Sequence, residues 1–246
     1  EKPEELVLKE NDLKLDVNSI ENQFYQINVN LKGQINVLDK ISDVLYEDIC
    51  FFEDVGDWGN EYDFSEPHEN QTDLKFTSED LNIFEILPLI DGLTQKTLKI
   101  RANLNLPVSL SEDRYIRGEF LVSNLIDIYI TLYKDIKRID FKIDLENMSK
   151  DHRIRVLFPS KIKTRKVYSD GHFYVNPRDI DLPKAEKWAQ KPLPTNHQKD
   201  FVSVSDNSRT FSVLNKGLPE YEAIINEDGT ISLAITLLRY IGWLSR

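Results

Sequence analysis

Within the stretch from Phe120 to Glu146, apolar residues occupy every second position over 126–132 and again over 139–145, and this spacing limits the fold more than any other feature. Successive side chains of a β-strand point to opposite faces, so the alternation predicts strands with one buried face. A break at Lys134-Asp135 predicts a turn between two antiparallel strands. The pattern resumes at Ile154, Val156 and Phe158 and ends at Pro159, which predicts a further strand of the same meander.

Turn dipeptides predict more hairpins elsewhere in the chain. Asp228-Gly229 separates two apolar runs, and Asp-Gly is a strong short-range hairpin signal. Lys32-Gly33 divides residues 25–31 from 34–38 in the same way, and Asp91-Gly92 precedes another apolar run. No long window has the 3.6-residue period of an amphipathic helix, although short helical turns are possible at 78–84 and 184–190. We therefore expect an all-β protein.

The number of predicted strands and their short connections favour two antiparallel sheets packed face to face, because one open sheet of this size would leave a face wet. No shift in composition divides the 246 residues, which favours one domain. Pro183, Pro192 and Pro194, with residues 195–197, predict a long irregular stretch between Tyr174 and Phe201, and such loops are often functional.

Charge and composition exclude several classes of function. The formal net charge is −11, which argues against partners that need clustered Lys and Arg, namely nucleic acids and anionic membranes. No apolar run reaches the roughly 18 residues that a membrane span needs. The lone cysteine, Cys50, excludes a disulfide framework, and its apolar neighbours predict a buried core thiol. The four histidines are scattered, which favours structural roles over a zinc site.

The densest polar segment is residues 51–67, which we call the acidic loop; it holds six carboxylates, two glycines, Trp58 and Tyr62. An aromatic ring beside carboxylates suits a sugar, because the ring packs on the C–H face while carboxylates accept from hydroxyls. Asp57 is assigned to sugar binding on this ground. Calcium is an alternative, although the spacing is not that of an EF-hand. A solvated loop with Trp58 folded onto a sheet is the plainest interpretation.

Paired carboxylates in the loop also raise the possibility of glycosidase chemistry, in which one carboxylate is the nucleophile and the other the acid/base. Asp54 with Asp57, or Asp57 with Glu61, could form such a pair. A loop this rich in Asp and Glu offers many pairs by composition alone, so the signal has little specificity.

Several collinear segments resemble bacterial α-mannosidases of glycoside hydrolase family 38. The matches run in order from about residue 20 to the last residue. The segments that carry them are 52–65, 130–134, 138–142, 151–159, 194–197, 201–206, 213–221 and 237–246. Each match is modest, and their shared order makes them specific.

The resemblance implies a large β-sandwich of the galactose-mutarotase type over residues 19–246, with residues 1–18 as a lead-in from a preceding domain. It also implies that the zinc ion and the nucleophilic Asp belong to an N-terminal catalytic domain. The chain opens without Met or a signal peptide, so we expect it to be a piece of a longer polypeptide that is inactive by itself. A bacterial cytoplasmic location is expected, with a mannoside or oligomannose glycan as the substrate and without nucleic acid or membrane partners.

Within the family, a tyrosine and an arginine from the sandwich reach the bound mannose. The resemblance assigns the tyrosine role to Tyr62 and the arginine role to either Arg239 or Arg246. Two departures stand out. Asn60 occupies a position where the family usually has Asp, and residues 206–209 replace an Asp-Gly turn. The rival function is a carbohydrate-binding or scaffold domain without chemistry of its own.

Overall fold

The computed structural model describes residues 12–65, 75–189 and 192–242, and over these ranges the chain is all-β. One short 3-10 turn, Ser78–Asp80, interrupts the strands. The strands are β1 (Lys14–Leu15), β2 (Ser19–Glu21), β3 (Tyr25–Val29), β4 (Ile35–Asp39), β5 (Val44–Tyr46), β6 (Phe51–Gly56), β7 (Phe76–Thr77), β8 (Asn82–Asp91), β9 (Gln95–Pro107), β10 (Leu121–Tyr133), β11 (Ile139–Glu146), β12 (His152–Pro159), β13 (Lys166–Asp170), β14 (Val175–Asp179), β15 (Thr195–His197), β16 (Phe201–Ser205), β17 (Thr210–Leu214), β18 (Glu220–Ile225) and β19 (Ile231–Tyr240).

The chain divides into two compact units, and each is built from antiparallel sheets. The first unit comprises the residues up to Leu45, together with Leu81–Leu104 and Ser123–Asn147. It contains a five-stranded sheet in the order β1-β2-β3-β4-β5 and most of a four-stranded sheet in the order β11-β10-β9-β8. The second unit, described below, contains two more sheets. The described residues therefore form four sheets, whereas the sequence predicts two.

The predicted hairpin over residues 120–146 is confirmed. β10 and β11 pair antiparallel, with Ile128 opposite Ile143 and Ile130 opposite Phe141. Ile126, Ile128, Ile130 and Leu132 of β10 are buried. Lys142 and Asp144 of β11 are exposed and form an ion pair at 2.7 Å. Alternation alone located these strands because both partners lie next to each other in the chain.

The turn at Lys32-Gly33 is confirmed as well and requires glycine on two counts. Gly33 has φ +78°, a left-handed conformation that side chains disfavour. A Cβ there would lie 2.5 Å from Cδ1 of Ile83. Any larger residue would therefore strain the β3–β4 connection.

The second unit comprises Tyr46–Asp80, Asn105–Val122 and the residues from Met148 onward. Its six-stranded sheet has the order β15-β18-β19-β12-β6-β7, and its four-stranded sheet has the order β14-β13-β16-β17. The hairpin predicted at Asp228-Gly229 is confirmed, since β18 and β19 pair antiparallel around it. Gly229 takes φ +81° in this turn.

The prediction that β12 continues the β10–β11 meander is wrong. β12 instead lies between β19 and β6, and it pairs antiparallel with both. Strands from three distant parts of the chain therefore form the centre of this sheet. A local pattern cannot reveal a partner that lies about a hundred residues away.

The irregular stretch between Tyr174 and Phe201 contains more structure than predicted, since β14 and β15 both fall inside it. Pro177 lies within β14, an edge strand, where a missing N–H is tolerated.

Cys50 is buried as predicted, and burial raises the pKa of its thiol. Among the described residues, no helix is long and apolar enough to cross a membrane.

Candidate functional site

Residues 51–56 of the acidic loop form β6, and the chain leaves the six-stranded sheet at Asp57. The side chain of Asp57 is fully buried. Its backbone N–H donates to the carbonyl of Asp151, 2.9 Å away, which fixes the loop to the residue that precedes β12. Asp57 is therefore the anchor from which the rest of the loop departs.

The carboxylate of Asp57 binds backbone groups of the loop on both sides of its tip. Its Oδ1 accepts from the backbone N–H groups of Gly59 at 2.8 Å and of Ser65 at 3.2 Å. Its Oδ2 accepts from Nε of Arg239 at 2.6 Å. The two ends of the loop thus converge on one buried carboxylate, which has a cation beside it.

Arg239 holds the loop through a second set of contacts. Its Nη2 donates to the carbonyl of Asn60 at 2.7 Å and also to the carbonyl of Asp63. A Cβ at Gly59 would clash with the Asp63 carbonyl and lie 2.8 Å from Nη2 of Arg239. Glycine is needed at this position because the loop wraps closely around the guanidinium.

The tip of the loop is a turn centred on Asn60. The side-chain Oδ1 of Asn60 accepts from the N–H groups of Tyr62 at 2.8 Å and Asp63 at 3.2 Å. Asx turns of this kind need only an acceptor oxygen, which both Asn and Asp supply. The turn leaves the side chain of Tyr62 78% exposed at the tip.

Trp58 folds back onto the end of β6. Its ring lies against Gly56, where an added Cβ would overlap the indole, and the residue is half-buried. This agrees with the interpretation in which Trp58 folds back onto the sheet. Its Nε1 is buried and makes no hydrogen bond in the described part of the chain.

Phe64 covers Arg153, a buried arginine of β12. The guanidinium carbon lies 3.5 Å from the centroid of the ring, a close cation–π arrangement. Nε and Nη1 of Arg153 are buried without a hydrogen bond in the described ranges, and the nearest carboxylate oxygen, on Glu220, is 3.8 Å from Nη1. Burial, together with the charge of Arg155, lowers the pKa of Arg153 to about 10.

A second buried arginine, Arg155, joins three strands of the sheet. Its Nε donates to Glu53 of β6 at 2.8 Å, and Nη1 pairs with Glu222 of β18. Lys75 also pairs with Glu53. Burial alone raises the pKa of Glu53, but Arg155 and Lys75 outweigh it, so the pKa lies below its ordinary value.

Asp54, on the opposite face of β6, pairs with His152 and Arg117. Its Oδ2 lies 2.6 Å from Nδ1 of His152, and its Oδ1 lies 2.6 Å from Nη2 of Arg117. Asp54, His152 and Arg117 are all buried. Because Asp54 and Asp57 both direct their carboxylates inward to protein donors, neither is available to attack a sugar in this conformation.

Asp151 connects the loop to two other segments. Its Oδ1 accepts from Nη1 of Arg114 at 3.0 Å and from the N–H of Gly242 at 2.7 Å, while its carbonyl accepts from Asp57. Its φ is +56°, a conformation that Asp tolerates better than most residues. One residue therefore ties the acidic loop, the 108–120 segment and the end of β19 together.

The sequence profile described as "Glycosyl hydrolases family 38 C-terminal domain" matches residues 20–243. The chain belongs to this family. The resemblance to glycoside hydrolase family 38 that the sequence segments indicate is therefore confirmed.

Relatives of known structure extend the family 38 assignment. The chain is similar to an alpha-mannosidase from Enterococcus faecalis V583, with 29% identity and a TM-score of 0.84 over 97% of this chain and 28% of that one. A second Enterococcus faecalis structure, a protein in glycosyl hydrolase family 38, gives 28% identity and a TM-score of 0.81, with the same coverage.

A curated relative has the name "Putative mannosylglycerate hydrolase" and comes from Halalkalibacterium halodurans. It is 28% identical over 242 residues, which cover 92% of this chain and 25% of the relative. The chain therefore spans only about a quarter of the length of the family 38 proteins that it matches.

Three of the predicted site residues of this family 38 domain lie at the acidic loop. Tyr62 and Asp57 are part of the loop, and Arg239 of β19 binds to it. Tyr62 is at the exposed tip, while Asp57 and Arg239 lie beneath it. Arg246 lies outside the described residues, as does the end of the acidic loop beyond Ser65. Contact of these residues with a sugar stays a prediction.

Sequence reasoning did not single out the residues that support the loop. Asp151, Arg153 and Arg155 lie in a segment whose family resemblance was noted, but no role was given to them. A signal was present, because arginines alternate with apolar residues along a strand that turns out to be buried on both faces. Charged residues at buried strand positions are rare unless they are paired.

Proposed function

We propose that this chain forms one wall of the sugar pocket in a retaining, zinc-dependent α-mannosidase, and that Tyr62 is the wall residue that contacts mannose. Family membership and the likeness to an Enterococcus faecalis alpha-mannosidase support the class of reaction. The exposed position of Tyr62, on a loop held from below by Arg239 and Asp57, carries the proposal.

Tyr62 has the chemistry that a pocket wall requires. Its phenol donates or accepts one hydrogen bond with a sugar hydroxyl, while its ring covers an apolar patch of the pyranose and excludes water. Asp57 and Arg239 act through the shape of the loop, since their polar atoms already bind loop groups. A role for Arg246 in the pocket stays a prediction.

Zinc does not fit the described residues of this chain. They contain no group of three or more His, Cys, Asp or Glu side chains that could hold a metal ion. His152, Asp54 and Asp57 are already bound to other protein groups. The ion and the nucleophilic Asp remain proposed for an N-terminal catalytic domain.

We further propose that the domain is a large antiparallel sandwich of the galactose-mutarotase type over residues 19–246, as the family resemblance implies. The antiparallel sheets of both compact units support this proposal.

The proposed substrates are terminal α-mannosides. The relative from Halalkalibacterium halodurans, by its printed name, adds mannosylglycerate as a compound to be assayed. Retention of configuration would require the two catalytic carboxyls to lie about 5–5.5 Å apart.

The first experiment compares hydrolysis of an aryl α-mannoside by the intact parent polypeptide and by this chain. Activity in the parent and none in the chain is the expected result. Activity in the chain alone would contradict the proposal. An inactive parent, together with heat of mannose binding to the chain in calorimetry, would instead favour a carbohydrate-binding domain.

The role of Tyr62 is tested by Tyr62→Phe in the intact enzyme. We expect kcat/KM to fall by an amount equivalent to losing about 1–3 kcal/mol of transition-state stabilisation, because a buried sugar hydroxyl would lose its hydrogen-bond partner. Tyr174→Phe, another exposed tyrosine of the same unit, serves as the control and leaves the kinetics unchanged. Equal kinetics for Tyr62→Phe and the unsubstituted enzyme would remove Tyr62 from the pocket.

A further inference from the structure

Arg153 of β12 is a buried cation that no nearby carboxylate binds closely. The residue is 3% exposed, and its Nε and Nη1 make no hydrogen bond in the part of the chain that the structure describes. The nearest carboxylate oxygen, Oε1 of Glu220, lies 3.8 Å from Nη1 and already accepts from Oγ1 of Thr236 at 2.6 Å. Because buried polar atoms almost always have a partner, two unmatched nitrogens on one guanidinium need an explanation.

The arginines next to Arg153 have carboxylates of their own. Arg155, two residues further along β12, donates from Nε to Glu53 at 2.8 Å. Arg239, which lies opposite Arg153 in the register of β12 and β19, binds Asp57 at 2.6 Å. The carboxylates of these pairs are already neutralised, so they do not provide a counter-ion for Arg153.

Phe64 of the acidic loop covers one face of the same guanidinium. The guanidinium carbon lies 3.5 Å from the centroid of the ring. Such stacking keeps water from the face and leaves the N–H groups, which lie in the guanidinium plane, as donors. Phe64 is two residues from Tyr62, so Arg153 lies under the loop that presents the proposed sugar contact.

An unmatched cation at this position costs stability. Removing a charge from water is unfavourable, and close pairing is what offsets the loss. Proteins depart from such rules mainly at functional sites, where a ligand supplies the missing partner.

We propose that Arg153 binds an oxyanion of the substrate, so that the enzyme selects α-mannosides carrying a phosphate or carboxylate group over neutral ones. This role rests on the proposed function for the nature of the sugar. Phosphate and carboxylate oxygens are the acceptors that match a guanidinium best, whether they belong to the sugar or to the group attached to it. Nε and Nη1 are closed to water in this structure, so the anion enters with a shift of the half-buried Phe64.

A purely structural role would make a different prediction for stability. Methionine has a similar length and could pack under Phe64 without a charge to desolvate, and such replacements are often neutral or stabilising. We therefore expect Arg153→Met to keep or raise the midpoint of thermal unfolding. A lower midpoint, with the ligand preference unchanged, would assign Arg153 a structural role and overturn the proposal.

The test measures dissociation constants of the intact parent polypeptide by calorimetry. Methyl α-mannoside is the neutral ligand, its 6-phosphate places the anion on the sugar, and carboxymethyl α-mannoside places it on the attached group. We expect one anionic ligand to bind roughly tenfold or more tightly than the neutral one, as charge-assisted hydrogen bonds predict, and Arg153→Met to lose this advantage. Arg165→Met, which removes an exposed arginine paired with Asp181, is the control and keeps the preference.

Equal affinities for the three ligands would overturn the proposal, and so would a preference that Arg153→Met retains. If Arg153→Met does not fold, Arg153→Lys takes its place, since lysine keeps the charge without the planar donors and should weaken the preference. The affinities do not depend on hydrolysis. An anion preference that depends on Arg153, in a parent that does not hydrolyse α-mannosides, would therefore refute the proposed function and leave the anion site standing. Hydrolysis of an aryl α-mannoside without any such preference would refute the anion site alone.

Discussion

At the scale of single residues, Arg239 is the side chain of β19 that holds the acidic loop in place. It binds a buried carboxylate through Nε and two loop carbonyls through Nη2. Lysine could not reproduce this, since a guanidinium presents several donors in a fixed plane whereas an ammonium is a compact charge. The shape of the acidic loop, and with it the direction of Tyr62, depends on this planar fork.

Arg239→Met should therefore destabilise the protein by about 3–5 kcal/mol, because the buried Asp57 carboxylate loses its cation. The free energy of unfolding in urea provides the measurement. Arg138→Met is the control, since it removes a surface pair with Asp140 and should cost about 1 kcal/mol or less. Similar losses in both variants would show that the Arg239 contacts contribute no more than a surface pair does.

Individual residues of the site were only partly predictable. The family resemblance predicts Tyr62 and Arg239, and the aromatic and acidic composition of the loop predicts Asp57, but the pairing of Asp57 with Arg239 joins positions 182 residues apart. Asp54 was considered as a catalytic carboxylate, whereas it is fully buried against His152 and Arg117. A linear sequence shows residue types and gives little information on which carboxylates point inward.

Among the strands, β12 is the element that holds the site together. Arg155 pairs with Glu53 of β6, the strand next to β12, and with Glu222 of β18, which lies beyond β19. Alternating charges on a strand normally predict a solvated face, as they correctly do for Lys142 and Asp144 in β11. In β12 the arginines are buried instead, because Arg155 is paired with two carboxylates and the ring of Phe64 covers Arg153.

The pairing of these strands should depend on pH through Glu53. Its folded-state pKa lies below the ordinary value of 4.5, so its stabilising contribution is present above that value and is lost as the pH falls through the folded-state pKa. Unfolding midpoints measured from pH 7 down to pH 3 should fall, and Glu53→Gln should reduce this dependence. Glu79→Gln, at an exposed position, should leave the slope unchanged.

For the whole molecule, the sequence is sufficient to predict the fold class but not how the strands pair into sheets. Period-two patterns located hairpins whose strands are adjacent in the chain, such as β10–β11 and β18–β19. They failed for β12, whose partners are distant, and they predicted two sheets where the described residues form four. Pairing between distant strands depends on three-dimensional packing, which local periodicity does not record.

The ion pair between Asp57 and Arg239 also sets the order in which the site can be completed during synthesis. The acidic loop leaves the ribosome before Arg239, which binds Asp57 from 182 residues further along the chain. Domains fold as their residues emerge, and contacts of such long separation form late. The loop that presents Tyr62 therefore takes its final shape only after β19 has been made, so a translation product that stops before Arg239 would carry the loop without the contacts that hold it.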